Sequence, residues 1–259
     1  MQNFRFKSPT DFLFGKDTEL SVGSEMKKYG KKVLFHYGGG HIKKDGLYDR
    51  IIDSMEQNGI EYIELGGVKA NPDVELVREG INICRKEKVD FILAAGGGSV
   101  IDSAKAIAVG VPYDGDVWDF FEGEAEIRKA LQVGVVLTIP ATGSEASNTT
   151  VVTNSTEGHL KRAVSSDLLK PVFAVMNPEL TYSLAAYQTA AGGVDIMSHV
   201  LERYFTLEPD CGFTDRLCEA TLRTVLQCLP DILKSPPRLC GQRRNHVGGN
   251  HCPQWNSGS

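Results

Sequence analysis

Two short apolar runs, VLFHY at 33–37 and FILAA at 91–95, each break into three consecutive glycines, Gly38–Gly40 and Gly96–Gly98. A buried strand that ends this way leaves bare backbone amides at its tip, and that limits the fold to one in which strand tips matter. Amphipathic segments separate such runs. In LYDRIIDSMEQNG, Leu47, Ile51, Ile52 and Met55 recur on one helical face, with Gly59 just past the end. IEYIEL reads as a strand, PDVELVREGINICRKEKV as a helix opened by Pro72, and VIDSAKAIAVG as the helix after the second glycine run. VGVVLTIPATGSE and PVFAVMN supply two more strands. This alternation predicts an α/β fold, a Rossmann-like, mostly parallel sheet with helices on both faces and ligand at the carboxyl ends of the strands. From about Thr181 the strands stop and TDRLCEATLRTVLQCLPDIL is helical, so an α/β domain over 1–180 is expected, then the start of an all-helical domain over 181–234.

Bulk properties narrow the function classes. Hydrophobic content of 41% and charged content of 24% are ordinary for a globular protein, and a net charge of −5 gives no basic footprint for nucleic acid or acidic membranes. No apolar run has the length of a membrane span, and MQNFRFKSPTDFLFG lacks the apolar core of a secretory signal. The six cysteines include no Cys-x-x-Cys pair and read as free thiols of a reducing, cytoplasmic setting.

The strongest phosphate signal is AAGGGSVIDSAKA. Gly96, Gly97 and Gly98 let amides approach a ligand, and Ser99 opens a helix whose positive end favours an anion. Ser99 and Asp102 also have the spacing of a capping box, which would explain the turn with no ligand. In YGGGHIKK, Gly38 and Gly39 could sit beside an adenosine ribose. No acid stands there to take the ribose hydroxyls, and Lys43 and Lys44 point to the 2′-phosphate of NADP(H), or simply to solvated lysines at a helix start. LTIPATGSEAS offers Thr138, Thr142, Gly143 and Ser144 as a hydroxyl-rich turn able to bond a pyrophosphate or a carboxamide. Lys161, read alone, is a solvated side chain. Asp195 and His199 in GGVDIMSHVLERYF stand four residues apart in a helical segment, so they share a face and could grip one metal ion or form an exposed pair.

Taken in order, YGGGHIKKDGLYD, AAGGGSVIDSAKAIA, LTIPATGSEAS, KPVFAVMNPELTYSL and GGVDIMSHVLERYF resemble the iron-containing alcohol dehydrogenases, in the branch of the butanol dehydrogenases and broad-range aldehyde reductases. The match runs from near Phe4 to about Lys234, with two departures: the family's usual Asp-Pro stands as Asn177-Pro178, and its Leu-Pro-Pro turn as Leu184-Ala185-Ala186. The resemblance implies NADP or NAD in a cleft beside the sheet, held at Gly38, Gly39, Asn71, Gly97, Gly98, Ser99, Asp102, Thr138, Thr142, Ser144 and Lys161. It makes Asp195 and His199 the first two ligands of Fe2+ or Zn2+, and so catalytic through that metal. The implied reaction is hydride exchange between the nicotinamide and a small primary alcohol or aldehyde. Glycerol dehydrogenase, of the same superfamily, fits GGGHIKK and DIMSHVLERYF less well.

Family members carry two further histidine ligands beyond Lys234, whereas 235–259 shows neither helical nor strand periodicity and is expected to be disordered. A neighbouring reading frame from near Pro236 can, with compatible codons, encode an amphipathic helix like the family's next one, so a frameshifted, truncated product is the expectation. His246, His251 and Cys252 have no preset geometry with which to replace the missing ligands. Helical faces over 192–206 and 214–229 are then expected to be exposed and to invite self-association, as in a homodimer. On this reading the 259-residue chain turns over little. The alternative is a non-catalytic dinucleotide-binding remnant.

Overall fold

The computed structural model describes residues 7–156, 158–207 and 211–234. The expectations for 235–259 lie outside the described residues. The chain divides into two compact units, Met1–Leu184 and Ala185–Ser259.

In the first unit, strands β1 (Asp11–Phe14), β2 (Lys32–Tyr37), β3 (Glu61–Leu65), β4 (Phe91–Gly96), β5 (Gln132–Leu137) and β8 (Phe173–Met176) form one sheet in the order β1-β8-β5-β4-β2-β3. Every pairing in it is parallel. Parallel strands need crossovers, and helices α1 (Val22–Met26), α3 (Leu47–Gln57), α4 (Val74–Glu87) and α5 (Gly98–Gly110) supply most of them. The near-continuous apolar strands are buried on both faces. Leu34, Ile92, Ala94 and Val135 pack with Val77, Ile81 and Ile107 of α4 and α5. Their neighbours Val33, Phe35, Leu93 and Val136 face Met26, Ile51 and Met55 of α1 and α3. Two-residue alternation thus divides β2, β4, β5 and β8 between two cores, and all carboxyl ends emerge on one rim.

Several local details differ from the sequence expectations. The helix at Pro72 begins at Val74, because Asp73 adopts an extended conformation and its carboxylate caps Glu75 N–H at 2.9 Å. Ile52 is half-buried rather than inward. Strand β1 and an antiparallel hairpin, β6 (Thr149–Asn154) with β7 (Leu160–Ser165), were not foreseen. In β6 the inward residues are Thr150, Val152 and Asn154, so the buried row is largely polar and leaves no apolar period.

Asn177 accounts for one family departure. Its amide donates to buried Glu19 at 2.8 Å while its oxygen caps Glu179 N–H at 3.0 Å. Glu19 also takes Arg50 at 3.0 Å, and an aspartate at 177 would set a second carboxylate against it.

The second unit pairs α7 (Ala186–Tyr204) with α8 (Gly212–Lys234). The helix expected from Gly192 starts at Ala186, because the glycines lie inside it. A Cβ on Gly193 would stand 2.5 Å from Leu229 Cδ2, so glycine permits the close approach of the two helices. The helix expected over 214–229 likewise runs from Gly212 to Lys234, through Pro230. Tyr187, Phe205 and Phe213 are exposed. Among the described residues no helix is long and apolar enough to cross a membrane.

Candidate functional site

The rim formed by the ends of β2, β4 and β5 gathers the turns singled out in the sequence. Gly97, extended at φ −92° and ψ −168°, is the residue before α5, and no side chain caps that helix. The first amides of a helix have no partner within it, and its dipole adds positive potential, so this end is open to an anion. The capping-box explanation is corrected. Ser99 lies inside α5, and Asp102 bonds elsewhere.

Each glycine of this turn has a tight neighbour. A Cβ on Gly98 would come within 2.5 Å of Thr142 Oγ1, one on Gly97 within 3.1 Å of Ile139, and one on Gly96 within 2.4 Å of Val100. Thr138 N–H donates to Gly96 C=O at 3.1 Å, so the hydroxyl-rich turn is laced to the glycine turn. On the other side Gly38 would bring a Cβ to 3.8 Å from Val100, while Gly39 and Gly40 border open space. Gly38, Gly97, Gly98, Thr138 and Thr142 are therefore brought onto one rim.

Beneath the rim lies a network the sequence reading missed. Lys105, on α5 and fully buried, donates its ammonium to the carbonyls of Ser144 (2.6 Å), Ser147 (2.9 Å) and Thr149 (3.1 Å). The hydroxyls of Ser144 and Ser147 lie 3.1 Å from it. Ser144 Oγ in turn donates to Asp102 at 2.6 Å, and Val151 N–H reaches the other carboxylate oxygen at 3.3 Å. Burial pushes the Lys105 pKa down to about 8 against the pull of Asp102 and Glu145. Burial likewise raises that of Asp102 against the Ser144 hydroxyl and the charge of Lys105. The signal available was a lone lysine within the apolar face AKAIAVG, since a lysine there must find partners.

Lys161, carried on β7, donates to Asn71 Oδ1 at 2.8 Å, a contact the sequence reading did not anticipate. Asn71 has the left-handed φ of 58°, and Thr153 N–H bonds Pro72 C=O at 2.9 Å, which ties the hairpin to this corner. Lys43, expected to be available for a phosphate, is engaged. Its Nζ lies 3.1 Å from Glu64 and 4.3 Å from the centre of the Tyr48 ring.

His36 sits under the same rim, fully buried, with Nδ1 at 2.8 Å from Leu65 C=O and Nε2 at 2.8 Å from Ser103 Oγ. A carbonyl only accepts, so Nδ1 carries a proton. Burial pushes its pKa down from 6.5 to about 4. The unfolded chain therefore binds one more proton than the folded one between these values. The His36 contribution to stability should be complete above pH 6.5 and fall by about 1.4 kcal/mol per pH unit, some 3 kcal/mol in all, as pH drops to about 4. Denaturant titrations across that window should show the slope, and His36→Gln should flatten it.

In the second unit Asp195 and His199 do share a face of α7, with Nε2 and Oδ1 3.8 Å apart and both side chains 43% exposed. Glu202 approaches Nδ1 at 3.7 Å. Ligands about 2.1 Å from one ion stand roughly 3.0–3.4 Å from each other, so a small rotamer change would let this pair share a metal. Among the described residues no group of three histidine, cysteine or acidic side chains could hold one. The pair fits as two ligands and does not make a complete centre.

Comparison with known proteins finds relatives of this chain. The sequence model described as iron-containing alcohol dehydrogenase matches residues 9–178. The probable NADH-dependent butanol dehydrogenase 2 of Bacillus subtilis is 44% identical over 90% of this chain and 60% of its own length. The NADPH-dependent aldehyde reductase YqhD of Escherichia coli is 38% identical over 91% of this chain and 61% of its own. The crystal structure of NADH-dependent butanol dehydrogenase A from Thermotoga maritima superposes with a TM-score of 0.88 at 43% identity, over 92% of this chain and 60% of that one. The chain thus spans about 60% of the length of the relatives it matches.

Proposed function

The chain belongs to the iron-containing alcohol dehydrogenase family, and from that premise we propose that its first unit binds a nicotinamide dinucleotide across the rim of β2, β4 and β5. The pyrophosphate lies at the start of α5, on the amides of Gly98 and Ser99. Thr138 and Thr142 bond the phosphate or the carboxamide, and Lys161, steadied by Asn71, adds a cation. Ser144 and Asp102 act from below by fixing the turn that carries Thr142. The single observation that carries this reading is the uncapped start of α5, with Gly98 pressed against Thr142.

The substrate class is a small primary alcohol or aldehyde, which exchanges a hydride with the nicotinamide in the whole fold. Asp195 and His199 would supply two ligands of a divalent iron or zinc ion. Because the described residues offer no third ligand, the role assigned to this chain's own groups is to bind and orient the dinucleotide.

Fluorescence titration with NADH and NADPH tests the proposal. Binding in the micromolar range is expected, and Lys161→Met should weaken it about tenfold without moving the melting temperature, since Lys161 is exposed. Failure to bind either nucleotide would remove the reading.

A further inference from the structure

Beside the Gly38–Gly40 turn four side chains from four elements converge. Glu64, on the edge strand β3, accepts hydrogen bonds from Tyr37 OH of β2 at 2.7 Å and from Tyr48 OH of α3. Its Oε2 also lies 3.1 Å from the ammonium of Lys43, on the short helix α2 (His41–Lys44). That ammonium stands over the Tyr48 ring at 4.3 Å and the Tyr37 ring at 5.1 Å. Burial works to raise the pKa of Glu64, but the hydrogen bonds from Tyr48, Tyr37 and Lys43 outweigh it and hold the carboxyl below its ordinary value. Glu64 is thus a fixed negative charge.

The strand order says what this charge faces. If the pyrophosphate sits at the end of β4, the side toward β5 is filled by Thr142 against Gly98. The other side, over the end of β2, is where Gly39 and Gly40 leave open space. An adenosine ribose running that way crosses the tip of β2 toward β3, one strand spacing of about 4.8 Å further. In open α/β sheets an acid near this point takes the ribose hydroxyls, while an unpaired cation receives a 2′-phosphate. Here the strand next to β4 ends in glycine, and the nearby cation is already matched by a carboxylate.

We propose that Glu64 is a specificity-determining residue: by engaging Lys43 beside the ribose position it sets the chain to prefer NAD(H) over NADP(H). This rests on the dinucleotide reading above and replaces the expectation of NADP(H) drawn from Lys43 and Lys44. A 2′-phosphate must either displace the carboxylate from Lys43 or lie near it within a Debye length, about 8 Å at physiological salt.

The test is the ratio of dissociation constants for NADH and NADPH, measured on the 259-residue chain, on Glu64→Gln and on Lys43→Gln. The unsubstituted chain should bind NADH more tightly. Glu64→Gln should tighten NADPH about fivefold and leave NADH within twofold. Lys43→Gln, which strands the carboxylate, should move the ratio the other way. Both side chains are partly exposed, so folding is expected to survive either change, and melting curves check it. A ratio that stays the same in both variants overturns the assignment of Glu64 while leaving the dinucleotide reading intact. Absence of binding by the unsubstituted chain overturns both.

Discussion

Replacing Lys105 with methionine should lower the stability of the first unit by about 3–5 kcal/mol, the usual consequence of removing one member of a buried charged network. The ammonium is fully buried among three carbonyls and two hydroxyls, and Asp102 lies one hydroxyl away through Ser144. Methionine matches the length but donates nothing, so those acceptors and the carboxylate would be left in a dry interior. A domain of this kind holds only about 5–15 kcal/mol in total, so the melting temperature should drop by about 10 °C. The segment 144–149 would also come loose beneath Thr142, and affinity for NADH should fall at least about tenfold. A methionine variant that melts within about 1 °C of the parent and binds NADH equally well would show that the network does not hold the rim.

Gly98→Ala should have the second largest effect, and a companion substitution separates its causes. The new Cβ would stand 2.5 Å from Thr142 Oγ1 and 2.9 Å from Thr142 Cγ2, closer than side chains approach. Either the turn at 138–144 shifts or the start of α5 does, at a cost of about 1–3 kcal/mol. NADH binding should weaken by at least about tenfold, because the amides at the start of α5 and the Thr142 hydroxyl no longer meet around one anion. Adding Thr142→Ala removes the clashing atoms. Stability should then return to near that of the parent while binding stays weak, since the hydroxyl is gone. Recovery of full affinity in the double variant would mean that the Thr142 hydroxyl does not bind the nucleotide.

Much of the fold was legible because its determinants are local. The strands VLFHY and FILAA are short, apolar and ended by glycine. The helices 47–57 and 74–87 show the 3.6-residue period, with Val74, Val77, Ile81 and Cys84 buried along the second. What escaped was non-local. The hairpin of β6 and β7 buries Thr150 and Asn154, so its inward row looks polar until Asp102 C=O is seen to accept from Thr150 Oγ1 at 2.7 Å. Lys105 was not singled out because its partners come from 39–44 residues away. Gly193 looked like a helix boundary until Leu229 filled the space above it.

The sequence by itself determined which segments become strands and helices, and that glycine turns would line the carboxyl ends of a parallel sheet. Period and turn chemistry are properties of neighbours along the chain. Only the tertiary structure decided how charges are spent. Lys105 went to the interior, Lys43 to Glu64 and Asp102 to Ser144, because pairing across a sheet depends on distances that spacing in a sequence does not contain.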